Sequence, residues 1–159
     1  MRRGVNSDRA SRRCLKSMKA ILLLIFVFVF AGVTLAQTVV HPTKGSTERT
    51  ELLDSLRPSV ENELKQKIVF VINTISVQGS WAFIDGRLQT TDGKVPSWNG
   101  TKYADAAKYG AQSDGISALL KRSGSSWRII AKGIGCTDVC YADWWSRFKA
   151  PKAIFPYTE

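Results

Sequence analysis

The stretch Ile116–Ile134, ISALLKRSGSSWRIIAKGI, decides the fold. Apolar residues run to Arg122, Ser123-Gly124-Ser125-Ser126 interrupts them, and Trp127 restarts the run. Two such runs around a short glycine turn predict a β-hairpin. A tryptophan just past the turn is placed to close the open end of a sheet's core.

The same pattern occurs earlier. Lys67–Ile72 (KIVFVI) and Thr74–Gln78 (TISVQ) are broken by Gly79-Ser80, and Trp81–Leu88 (WAFIDGRL) follows. This is a second predicted hairpin, again turning at a Gly-Ser step and restarting on tryptophan. Between the hairpins, Gly93, Pro96 and Gly100 mark a loop, and Lys102–Tyr109 predicts a short helix. A connection of this length is read as a surface excursion. Asp85-Gly86 and Asp114-Gly115 read as turn chemistry.

Ahead of both hairpins, Leu52, Leu53, Leu56, Val60 and Leu64 recur at helical spacing. Ser46 or Thr47 can cap this helix, and Glu48 and Glu51 favour its positive end. Pro58 removes one backbone hydrogen bond, but the stripe continues across it, so one bent helix is expected. Beyond the second hairpin, Tyr141–Glu159 is aromatic-rich and interrupted by Pro151 and Pro156. A short helix near Asp143–Phe148 and then an extended tail packed on the body are expected there. The predicted fold is α+β: an N-terminal helix packed on a curved antiparallel sheet built from two hairpins, with sequential strands adjacent.

The first residues read differently. Seven lysines and arginines precede residue 37, and Ala20–Ala36 (AILLLIFVFVFAGVTLA) carries no charge. A basic segment, an apolar core and the small-residue exit Thr34-Leu35-Ala36 form a signal peptide, residues 1–36, with Met18 as an alternative start. Gln37–Gly45 then reads as a flexible leader and residues 46–159 as a single α+β domain. Twin-arginine export through Ser11-Arg12-Arg13 is the less apt alternative, because this core is very apolar. Cys14 precedes the apolar core, which disfavours a lipoprotein. An uncleaved anchor is the other alternative, although a spanning helix needs about 20 apolar residues. Either way the domain lies outside the cytoplasm: periplasmic or secreted, or anchored to the inner membrane through this segment alone.

The formal charge of +10 overstates the domain's basicity. Of 23 lysines and arginines and 13 acids, seven and one precede residue 37, which leaves +4. No dense basic stripe tracks phosphates, so nucleic acid is not an expected partner.

Cys136 and Cys140 lie in GCTDVCYADWW, Gly135–Trp145. Outside the cytoplasm thiols oxidise, so a disulfide fits best. Zinc would need further ligands, and the chain has only His41, in the leader, so no metal is expected. Redox chemistry favours a spacing one residue shorter. Free thiols remain open. A disulfide here would aim Asp138 and the Trp144-Trp145 pair.

Trp81 and Trp127 are expected in the core. Trp144 and Trp145 point in different directions on any regular backbone, so one of them can stack on a ligand. The carboxylates open to an acid/base role are Asp85, Asp105, Asp114, Asp138 and Asp143, with Asp138 the favoured candidate, against a reading as a turn residue that caps backbone amides. No nucleophile motif or phosphate cradle appears, and no cofactor is expected. Asn99-Gly100-Thr101 matches a glycosylation acceptor, without meaning in a bacterium.

Leu119–Gly135 (LLKRSGSSWRIIAKGIG) and Ser76–Ile84 (SVQGSWAFI) resemble hairpins of the cystatin-like and nuclear-transport-factor-2-like α+β folds. More narrowly, Leu52–Phe155 resembles a group of small exported bacterial proteins of unassigned function. The matching pieces are Trp81-Ala82-Phe83, Ala118-Leu119-Leu120, Trp127-Arg128, Ile134-Gly135, Thr137-Asp138-Val139 and Ala150-Pro151. The superfold implied hosts isomerases, dehydratases, polyketide cyclases and proteins that only bind, so fold alone does not set function. The expected role is an exported, non-catalytic envelope accessory or binding protein whose partner is an envelope protein, a glycan or a small ligand. The alternatives are a small-ligand isomerase or hydrolase using a pocket between helix and sheet, and an inhibitor or immunity protein.

Overall fold

The computed structural model describes residues 37–159. The expected signal peptide, residues 1–36, lies outside the described residues.

Helix α1 spans Thr47–Leu64. Ser46 caps it in extended backbone, its hydroxyl accepting from the Arg49 N–H at 3.4 Å. That satisfies one of the orphan donors of the first turn. The helix runs through Pro58 without a break. Leu52, Leu56, Val60 and Leu64, each four residues on, bury one stripe. Lys65 ends it in the left-handed region, φ 57°, its N–H turned back to the Glu61 carbonyl.

Four strands follow: β1 Val69–Gln78, β2 Trp81–Gln89, β3 Gly115–Ser123 and β4 Ser126–Ile134. They pair antiparallel in sequence order, β1-β2-β3-β4. Gln78 pairs with Trp81 and Ser123 with Ser126, so each hairpin turns in two residues. Gly79 (φ 59°) and Gly124 (φ 63°) take the first turn position, where positive φ is needed. The β1–β2 register shifts between Ile72 and Thr74, and the β3–β4 register between Leu119 and Leu120. Bulges of this kind bend a strand and increase its twist. Gly86 packs against the first one: a Cβ there would lie 2.4 Å from the Val71 carbonyl oxygen.

Alternation splits the sheet's side chains between two faces. Ala82, Ile84 and Leu88 of β2 join the core under α1, whereas Trp81 and Phe83 join a second core on the far side. That second core is sealed by the C-terminal segment, through helix α3 (Trp144–Arg147) and a 3-10 turn (Lys152–Ile154). Trp144, Ala150, Ile154 and Phe155 are buried there against Phe83 and Leu119. The molecule is therefore layered as helix, sheet and C-terminal cover. The tail packs on the body as expected, its apolar residues finding a face on the second side of the sheet, and it departs from an extended course at the 3-10 turn.

The excursion between β2 and β3 carries helix α2, Ala104–Lys108. Gln66 donates to the Ser97 carbonyl at 2.7 Å and Lys65 to the Gly100 carbonyl at 2.5 Å, which hold the excursion beside the end of α1. Glu63 completes the attachment. Lys132 of β4 lies 2.6 Å from its Oε2, Lys102 lies 2.7 Å from its Oε1, and the Tyr103 hydroxyl donates to it. Burial pushes Glu63 up, but the two ammonium groups and the hydroxyl outweigh it and hold the carboxyl at about 2. Burial and the same carboxylate push the Tyr103 hydroxyl up.

The leader was expected to be flexible, but it touches the free edge of β1. Val40 and Val77 exchange both backbone hydrogen bonds at 2.8 Å, and Gln78 donates to the Gln37 carbonyl at 2.5 Å. These bonds use edge groups that β1 would otherwise leave unpaired.

Candidate functional site

The second face of the sheet brings the late cysteines next to the strands. Cys136 and Cys140 form a disulfide with their Cα atoms 6.1 Å apart. The bridge sits on Gly133 of β4, where a Cβ would lie 2.7 Å from the Cys136 sulfur and 2.5 Å from that of Cys140. Glycine is thus the residue that lets the clamp close down on the sheet. Among the described residues no group of three or more His, Cys, Asp or Glu is arranged to hold a metal.

Asp138 lies inside the clamped loop and is exposed. Its Oδ1 accepts from the Val139 N–H at 2.7 Å, and its carbonyl accepts from the Cys140 N–H at 2.9 Å. This is the work of a turn residue. A general base tuned toward neutrality needs burial, and Asp138 does not have it.

The tryptophans diverge. Trp144 is buried at 5% exposure, its ring edge-on to Tyr141 and Phe148. Trp145 is half-buried. Its indole N–H donates to the Glu159 carbonyl at 2.9 Å, and the Lys152 ammonium stands 4.6 Å from its ring centroid. One ring is core and the other is engaged by its own chain through its indole N–H and through Lys152.

The cone between α1 and the sheet is filled. Leu52, Leu56 and Val60 of the helix meet Ala82, Ile84 and Leu120 of the sheet, all at 0% exposure. These side chains close the interface between the helix and the sheet.

A polar shelf instead borders the second core. Asp85 follows Phe83 on that face, in the middle of β2 and not in a turn. Thr74 lies opposite on β1 and Ser117 opposite on β3, and Gly133 lies opposite Ser117 on β4. Ser117 Oγ donates to Asp85 Oδ1 at 3.0 Å, and Asn73 Nδ2, from the bulge, donates to Oδ2 at 3.2 Å. Tyr141 borders the row: burial and then the Asp85 charge push its hydroxyl up. Sequence reading counts Asp85 among the candidate acids but misses the shelf, because Asp85-Gly86 resembles a turn. The available signal was the alternation Trp81, Phe83, Asp85, Arg87, which puts a carboxylate in line with two core aromatics.

His41 Nδ1 lies 2.9 Å from the Ile75 carbonyl and 3.4 Å from Ser76 Oγ. A carbonyl only accepts, so Nδ1 carries the proton and is no base toward Ser76. What the shelf can offer is a negative charge, neutral hydroxyls and an aromatic border. No protein-family model, curated protein or solved structure matches the chain.

Proposed function

We propose that the protein is an exported, non-catalytic accessory or binding protein of the bacterial envelope, acting in the periplasm or after secretion. The filled cone carries this reading. Six side chains at 0% exposure occupy the place where this architecture would house a substrate. The Cys136–Cys140 bridge supports the compartment, since such bonds persist where thiols are oxidised. Among the described residues no helix is long and apolar enough to cross a membrane, which is consistent with any membrane attachment resting in residues 1–36. A helix ahead of an antiparallel meander supports the likeness to cystatin-like and nuclear-transport-factor-2-like folds.

Intact-mass measurement of the chain purified from the cell envelope tests this. The expected mass starts at Gln37, is lower by the two hydrogens lost in the bridge, and releases any bound ligand on denaturation. Full-length protein in the cytoplasm with both thiols free would refute the assignment.

A further inference from the structure

We propose that the shelf around Asp85 is a binding site for a primary ammonium group carried on a short alkyl chain. The proposal rests on the binding-protein reading and names the chemistry of its ligand.

Three observations carry it. First, Asp85 is a half-buried carboxylate that holds no cation. The half-buried acids Glu48, Glu61 and Glu63 each pair with a lysine or arginine within 2.7 Å, whereas Asp114, also half-buried, forms no ion pair among the described residues and is not given a donor from two neighbouring strands as Asp85 is. Among the described residues no ion pair includes Asp85, which has the neutral donors Ser117 and Asn73 instead. Even Arg87, two residues on along the same face, is exposed and does not pair with it. A carboxylate taken partly out of water is costly unless a cation or several donors compensate it. Two neutral donors leave acceptor capacity on both oxygens.

Second, the neighbouring positions on this face are small. Thr74 and Ser117 flank Asp85, and Gly133 lies beyond Ser117. Any larger side chain at Gly133 would strike the disulfide. The short side chains beside Asp85 are thus Thr74 and Ser117, and the disulfide covers Gly133 beyond them.

Third, the border is aromatic. Tyr141 lies close enough to feel the Asp85 charge, and its ring stands 4.7 Å from that of Phe83 and 6.3 Å from that of Phe155. An alkylammonium can place its charge on Asp85, donate to the Ser117 and Tyr141 oxygens, and lay its chain along the Tyr141 ring. A positive group next to an aromatic face gains further electrostatic attraction. An anion would meet the Asp85 charge and be repelled.

The test is a titration of the purified, disulfide-bonded protein with n-butylammonium chloride, followed by backbone and side-chain amide resonances. The expected result is saturable shifts at the Asn73 side-chain amide, at Ser117 and at Tyr141. n-Butanol and sodium chloride should give none, and tetramethylammonium, which has no N–H, should bind at least tenfold more weakly. Asp85→Asn should weaken n-butylammonium at least tenfold. Thr74→Lys is the second variant, because it sets an ammonium of the chain's own directly across from Asp85. It should raise the thermal midpoint and abolish the shifts, so the test survives if Asp85→Asn fails to fold. Absence of saturable shifts in the native protein overturns the proposal. So do equal shifts with n-butanol, unweakened binding in folded Asp85→Asn, or retained binding in Thr74→Lys. None of these outcomes depends on compartment, and a failed export test leaves them unchanged.

Discussion

Glu63 of α1 and Lys132 of β4 meet at 2.6 Å across the flank of the helix–sheet interface. Lys132 also donates to Ser59 Oγ at 2.5 Å, so its ammonium is enclosed by helix groups. Glu63→Gln leaves Lys132 and Lys102 without their counter-charge. Charge-assisted hydrogen bonds are worth about 1.5–3 kcal/mol each, and both ammonium groups keep some solvent, so the variant should lose about 2 kcal/mol. Urea unfolding at neutral pH measures it; a loss below a few tenths would mean that the pairs contribute nothing net.

The same carboxylate predicts an acid limb. Glu63 is held at about 2 in the fold, below its ordinary 4.5. A depressed carboxyl contributes stability in full above its unfolded value and loses it as pH falls toward the folded one. Native stability should therefore decline between pH 4.5 and 2, and Glu63→Gln should flatten that decline. Parallel native and variant curves through this window would remove Glu63 as the cause.

The clamp and its glycine should be coupled. Cys136→Ser with Cys140→Ser opens a short loop, for which loop-closure entropy gives about 2 kcal/mol. Gly133→Ala should cost about 1–3 kcal/mol in the oxidised protein, because its methyl overlaps both sulfurs. A serine oxygen is smaller than sulfur and is not drawn in by a bond, so Gly133→Ala should cost clearly less in the double-serine background. Additive losses in a double-mutant cycle would show that the bridge and Gly133 do not bear on each other.

Much of this architecture is legible in the sequence. Gly79-Ser80 and Gly124-Ser125 sit between alternating apolar runs, and both hairpins turn there. The stripe from Leu52 to Leu64 is the helix. The second core is harder to see, because Tyr141, Trp144, Ile154 and Phe155 follow no period: an irregular segment packs by shape and not by repeat. Asp85 is misread for a related reason. Asp-Gly is turn chemistry in isolation, and here pairing on both sides keeps it in a strand, with Gly86 required by the close approach of Val71. The leader's backbone pair with Val77 is invisible from sequence, since an edge accepts almost any extended segment.

Lys149 carries φ 55°, a left-handed backbone that a side chain disfavours. It is exposed, and it stands just past the last turn of α3. Lys149→Gly relieves that cost at the price of a more flexible unfolded chain, and a net gain of about 0.5–1 kcal/mol is expected. A lower thermal midpoint would indicate that the Lys149 side chain holds the cover down.

The C-terminal cover should unfold with the rest of the domain. Phe155 is 8% exposed and its ring lies 4.9 Å from that of Phe83, which is at 0%. Phe83 shares β2 with Ala82 and Ile84, whose side chains pack on the opposite face against the core that α1 covers. Loss of the cover would therefore expose the back of the strand that anchors the helix-side core. Phe155→Ala and Leu52→Ala, one on each face, should each cost about 3–4 kcal/mol and shift one shared transition. Near-UV circular dichroism reports the aromatic cover and far-UV circular dichroism the helix and sheet. Coincident midpoints are expected for the native protein and for both variants. An earlier near-UV transition in Phe155→Ala alone would make the cover a separately melting layer.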